Sequence, residues 1–210
     1  MATATITGSA QRQWYIIGRW QEYEGESRAN LLRIVAIGAF YIVQLINFHI
    51  IYAGDPQQLP FHQKATGIAV AWTMVALAVM LCLRRRMFPA ALKYCSTACD
   101  LLLLTSLAAL ANRALSPLVL AYFVIIAMSA LRLSLGLVWF STLGAMLGYY
   151  ALVGLSDRTW FDKDHVVPPA TQLITLLSLG LSGVVIGQVV RRVKAIAAEY
   201  AERMGTKTAV

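Results

Sequence analysis

From Leu31 to Val190 the chain is a series of apolar runs, separated by Pro, Gly, Asp or clustered Arg. Each is about as long as the roughly 20 residues a helix needs to cross a bilayer. Of the 210 residues, 59% are hydrophobic and 13% charged, against roughly 45–50% and 25% in a soluble domain. So few polar groups cannot cover a water-facing surface, and the excess apolar residues must face lipid. Six spans use roughly 120 residues, which leaves no room for a soluble domain of ordinary size. The expectation is an all-α membrane protein: a bundle of six transmembrane helices with cytoplasmic N- and C-terminal helical extensions. Its parts are an interfacial or cytoplasmic segment over 1–30, a transmembrane domain over 31–190, and a cytoplasmic helix and tail over 191–210.

The first span runs from about Leu31 to Ala53 and stops at Gly54-Asp55-Pro56, a turn signal. The second covers about Gln63 to Leu83 and ends at Arg84-Arg85-Arg86, and the third runs from about Ala91 to Asn112. A fourth follows Ser116-Pro117, where Pro suits a helix's first turn, and reaches Leu131. Arg132-Leu133-Ser134 is a tight connection into a fifth, about Leu135 to Leu155. Ser156 to Pro169 is the longest loop, and a sixth span, about Thr171 to Val190, continues into a charged helix ending near Met204. One helix over 117–155 would instead make the span count odd. Charge decides between the two. With six spans and both ends inside, only Lys64, Arg113, Arg158 and Lys163 of the 18 Lys and Arg residues lie outside, as the positive-inside rule requires. Five spans would place the basic tail after Val190 outside.

The formal charge of +8 is distributed as basic flanks of apolar runs, which points to the inner leaflet and away from nucleic acid. Cys82, Cys95 and Cys99 fall near the cytoplasmic side, where disulfides are disfavoured. The first 30 residues lack a compact apolar core and contain Glu22, Glu24 and Glu26, so no cleavable signal peptide is expected. The expected location is a bacterial inner membrane, multi-pass, with both termini cytoplasmic.

Asp100 is the one acidic residue within an apolar span. A carboxylate in hydrocarbon faces the bundle interior, finds a partner or stays protonated. It would serve as a proton relay, ion site or switch, or as a hydrogen-bond anchor to a Ser, Thr, Tyr or Gln on a neighbouring helix. Cys95 and Cys99 share a face with Asp100 beside them, but a structural zinc wants four ligands and no cytoplasmic His is present, so no metal site is expected. In the first span Tyr41, Gln44 and Asn47 form a polar stripe, which lines a small ligand pocket or holds helices together. His49, His62 and His165 all fall on the outer side, either as a pH- or cation-sensitive patch or as unrelated surface residues. Gly144-x-x-x-Gly148 and Gly183-x-x-x-Gly187 permit close helix approach, inside one bundle or between copies. No catalytic residues and no cofactor are assigned.

Two terminal segments complete the pattern. Residues Trp14 to Tyr23 mix aromatic and basic side chains, as an interfacial anchor does, or form a lead-in that packs on the bundle. After the sixth span Val190, Val193, Ala197, Tyr200 and Met204 recur at coiled-coil spacing without Pro or Gly. So short a seam needs a partner, a second copy or the inner leaflet.

The Glu24-Gly25-Glu26-Ser27-Arg28 lead-in, the tight Ser129 to Ser134 junction and the exit helix through Arg191-Arg192-Val193 resemble the six-span input region of bacterial membrane sensors, such as sensor histidine kinases and membrane adenylate cyclases. That resemblance implies a bundle that receives a stimulus and an exit helix that passes it on. The sensors continue into a catalytic or phosphoacceptor domain, whereas these 210 residues carry no cytoplasmic His and no nucleotide loop. A non-enzymatic sensory or regulatory subunit, docked to a protein partner or dimerised through the exit helix or the Gly faces, is the leading expectation. An accessory subunit of a larger energy-converting membrane complex comes second. A small transporter or channel through Asp100 and the Tyr41 stripe is third, and an intramembrane enzyme last.

Overall fold

A computed structural model describes the backbone of residues 2–52, 55–85, 89, 91–156 and 167–207, and the side chains among these between 23 and 200. The described residues form six α-helices and no strand. α1 is Ala2–Ile46, α2 Leu59–Arg84, α3 Leu92–Leu110, α4 Ala121–Ala130, α5 Leu135–Ser156 and α6 Pro169–Lys207. α1 passes residue 30 without a break and ends in a π-helical turn, Asn47–Ile51. Pro60 and Pro169 sit in the first turns of α2 and α6, where a missing N–H costs nothing.

Four of these helices are long and apolar enough to cross a membrane: Tyr23–Ile51, Leu59–Arg84, Leu135–Ser156 and Pro169–Tyr200. The expectation of six is therefore met in four. α3 falls short because Lys93, Ser96, Thr97, Asp100, Thr105 and Ser106 dilute its apolar face. The fourth segment falls short in length. Its 3₁₀ turn Pro117–Leu120 and α4 together make only Pro117–Ala130, about 20 Å at helical rise.

Both helices are central. α4 packs on α3, α5, α6 and α1, and α3 lies against α2, α5 and α4. Leu104, Ala108, Tyr122 and Ile126 are buried there with Leu152 of α5 and Leu179 of α6. Exposed apolar side chains instead cover α1 and α6, among them Leu31, Val35, Ile42, Ile174, Leu181 and Val185. The bundle is thus apolar outside and holds its polar groups within, the inverse of a soluble domain.

The chain breaks between α4 and α5, so 117–155 is not one helix. Leu133 takes left-handed backbone (φ 46°), and its N–H donates to the Ala130 carbonyl at 2.9 Å. A side-chain-bearing residue there costs about 1–2 kcal/mol.

Both glycine motifs are filled from within the chain. Gly144 lies against Leu101, Gly148 against Thr105 and Tyr122, Gly183 against Thr142 and Gly187 against Leu135. α5 is thereby pressed onto α3 and α4, and α6 onto α5. A methyl group at Gly148 would sit 2.7 Å from the Tyr122 hydroxyl and 2.8 Å from Thr105 Oγ1. Gly148→Val should therefore lower stability by about 1–3 kcal/mol, read as a reduced melting temperature in detergent. Gly38→Ala, with nothing within 4 Å of the new carbon, should leave it unchanged or raised.

Candidate functional site

The site is built by spacing. Glu26, Asn30 and Arg33 recur at four and three residues on α1, which puts them on one helix face. On α3 Asp100 follows Thr97 by three residues and Ser96 by four, which groups them on one face, and the α4–α5 turn supplies Arg132 between the two helices. Arg33 and Asp100 pair through two parallel hydrogen bonds: Nε donates to Oδ1 at 2.7 Å and Nη2 to Oδ2 at 2.8 Å. Arg33 Nη1 also donates to Asn30 Oδ1 at 2.6 Å, and Asn30 Nδ2 donates to the Ala76 carbonyl at 3.1 Å. The Trp72 indole of α2 donates to Asp100 Oδ1 at 2.7 Å.

Glu26 and Arg132 form a second pair. Arg132 Nη2 donates to Glu26 Oε1 at 2.8 Å, and Nε lies 2.7 Å from Oε2. Arg132 Nη1 reaches Thr97 Oγ1 at 2.5 Å and the Lys93 carbonyl at 3.3 Å. Ser96 Oγ accepts from Arg132 Nη2 at 3.2 Å and lies 3.3 Å from Glu26 Oε1, to which it donates. All four charged residues are buried, Glu26 and Arg33 at 1% and 2% exposure. An unpaired charge at such depth would be untenable, and these two cations and two anions cancel within the cluster. Burial draws the Arg132 guanidinium below its ordinary range; Glu26 opposes that shift, Arg33 adds to it and Asp100 opposes it. An arginine nonetheless keeps its proton in a protein.

Gly25 explains how α1 comes this close. A methyl group at that position would sit 2.7 Å from the Leu131 carbonyl oxygen and 3.2 Å from Arg132 Cα. The lead-in and the tight junction, two features far apart in sequence, thus rest directly on one another. On the exposed side of the same turn of α1, Arg28 pairs with Glu24.

Asp100 therefore has a different partner from the hydroxyl or amide expected. Its carboxylate is held by an arginine and an indole, because a full countercharge compensates a buried anion far better than one neutral donor. Arg33, Glu26, Arg132 and Trp72 are not among the candidate functional residues read from sequence, although Glu26 and Arg132 mark the lead-in and the tight junction. Arg33 was counted among the inner basic flank, although it lies two residues inside the apolar run that starts at Leu31. That position, and the 26-30-33 spacing, was the available signal.

Tyr41, Gln44 and Asn47 do come together. They line a cavity of about 650 Å³ bounded by α1, α2, the end of α3 and the segment up to Leu118, with Trp72 in its wall. Tyr41 Oη lies 3.2 Å from Thr66 Oγ1. Beside it, the π-helical turn brings His49 and His62 together around Phe48: the Phe48 and His62 rings stack at 4.2 Å, and the His49 and His62 centroids are 5.9 Å apart. Two of the three histidines converge, and His165 lies outside the described residues. Cys82, Cys95 and Cys99 are free thiols. Among the described residues no group of three or more His, Cys, Asp or Glu is placed to hold a metal.

Val190 is buried in the bundle, whereas Val193, Ala197 and Tyr200 are exposed along α6 beyond it. The Met204 side chain lies outside the described residues, as do those of Trp14 and Trp20. No family model matches the chain, and no curated protein or solved structure matches it.

Removing one member of the buried pair strands the other. Asp100→Leu or Arg33→Met alone should each cost about 3–5 kcal/mol, while the double variant, with no orphaned charge, should cost clearly less than their sum. Thermal unfolding of the purified protein in detergent measures this cycle. Additive losses would mean that the two side chains do not interact.

Proposed function

We propose that the chain is a non-enzymatic sensory or regulatory membrane subunit, whose bundle receives a condition within or outside the membrane and whose α6 passes it to a cytoplasmic partner. The observation that carries this reading is the continuity of α6. One helix runs from Pro169 to Lys207, buried at Leu179 and Val190 and exposed from Arg191 to Tyr200. At about 1.5 Å per residue it is a rod of about 60 Å, and a shift or rotation at its packed part must reappear at its free part.

In this reading all six helices cross a bacterial inner membrane, with both termini in the cytoplasm. The long, apolar α1, α2, α5 and α6 face lipid, and the shorter or more polar α3 and α4 lie among them. The positive-inside bias supports that orientation. In that orientation Glu26, Arg33, Asp100 and Arg132 lie toward the inner end of the bundle and the Tyr41 to Asn47 cavity toward the outer end. Trp72 connects the two ends, because its ring borders the cavity while its N–H is bonded to Asp100. A conduction role through Asp100 fits less well, because both its oxygens are engaged by Arg33.

Inserting one alanine after Lys194 should turn the distal helix by about 100° and change the output of whatever partner co-purifies. An unchanged output sinks the proposed transmission. A reporter fused after Val210 should be cytoplasmic, and a periplasmic one would invert the orientation. Extraction in mild detergent separates the accessory alternative. A sensor should leave as a small homo-oligomer or with one regulatory partner, an accessory subunit with a stoichiometric large complex.

A further inference from the structure

The cavity between α1 and α2 contains more polar chemistry than helix packing needs. Among the described residues, the side-chain amides of Gln44 and Asn47 have no hydrogen-bond partner within the protein, yet both line the cavity wall with apolar and aromatic groups such as Phe61 and Trp72. An amide left unpaired against apolar surface is unfavourable, and two of them, one turn apart, face the same space. The volume of about 650 Å³ falls within the roughly 300–1,000 Å³ of small-molecule sites.

The wall also constrains the ligand's charge. Its described residues include no Lys, Arg, His, Asp or Glu, so nothing there would compensate an ionic head. Both amides offer a donor and an acceptor, the complement of a neutral head carrying both. Val43 lines the cavity and is 64% exposed, so it joins the wall to the apolar outer surface of α1. A ligand arriving from that flank needs an apolar body.

We infer that this cavity binds a neutral amphiphile, a molecule with an uncharged amide- or hydroxyl-type head held by Gln44 and Asn47 and an apolar chain or ring lying toward Val43. The site stands whether or not α6 carries a signal, because occupancy is measured directly and without an output.

The probe is decanamide bearing a photoreactive diazirine in its chain, added to the full chain in lipid nanodiscs, with the labelled peptides mapped by mass spectrometry. Saturable labelling should concentrate on the Tyr41–Asn47 and Phe61–Trp72 segments. Unlabelled decanamide or decanol should displace it at concentrations at least tenfold below decanoate or decylamine. Gln44→Leu and Asn47→Leu should each weaken displacement by about tenfold, the worth of one lost hydrogen bond. Ala69→Phe, which adds bulk to the wall and leaves both amides in the sequence, should abolish labelling while the melting temperature is retained. Labelling spread evenly along the outer faces of α1 and α6 would overturn the inference, as would equal displacement by the charged decyl compounds. Either result would reduce the cavity to a place filled by lipid chains.

Discussion

Four buried charges dominate the architecture. An isolated carboxylate or guanidinium in an apolar interior is prohibitively unfavourable, whereas a pair with parallel hydrogen bonds and further donors is tolerated. Arg33 and Asp100 meet that condition through two bonds, with Trp72 and Asn30 taking up the remaining capacity. Glu26 and Arg132 meet it with Ser96 and Thr97. Such pairs add little net stability over well-packed apolar groups, but each partner is intolerable without the other. They therefore select one arrangement of α1, α3 and the α4–α5 turn from all the ways in which apolar helices can pack.

The same chemistry explains what could be read from the sequence. Helical architecture and helices apolar enough to cross a membrane were legible, because apolar length and sparse charge are summed properties that do not depend on contacts. The split between α4 and α5 was legible from Arg132-Leu133-Ser134, a turn that local residues dictate. The polar stripe was legible too, since Tyr41, Gln44 and Asn47 need only helical periodicity to share a face. The number of membrane-capable helices was not. α3 spends apolar length on residues that face partners inside the bundle, and no window of α3 alone reveals that those partners exist. Arg33 was lost for a related reason. Near the start of an apolar run a basic residue reads as an inner flank; its place inside the run and the 26-30-33 spacing mark an interior face, but only the packed bundle names Asp100 as its countercharge. The glycine motifs marked close approach correctly, but Leu101, Thr105, Tyr122 and Thr142, the residues that fill them, are spread over three helices.

Where the cavity lies relative to the charges matters for any link between the ends of the bundle. Trp72 is a rigid, bulky group whose ring is part of the cavity wall and whose single donor is committed to Asp100. An occupant that moved the ring would loosen a bond to a buried carboxylate, a change the surrounding low dielectric amplifies. The π-helical turn Asn47–Ile51 beside the cavity belongs to a class of local distortions frequent at functional positions. Here it ends α1 where Phe48 joins His49 and His62.

Glu26 and Arg33 are seven residues apart on one rigid helix, about 10 Å along its axis and within about 20° of the same direction. A rod fastened at a single point can pivot, but one fastened twice on the same side cannot turn or slide without releasing both fastenings together. Intermediate positions of α1 would leave four uncompensated charges at once, so they lie high in energy. Any motion of this helix must then be a jump between discrete seatings, with Gly25 against the α4–α5 turn marking one of them.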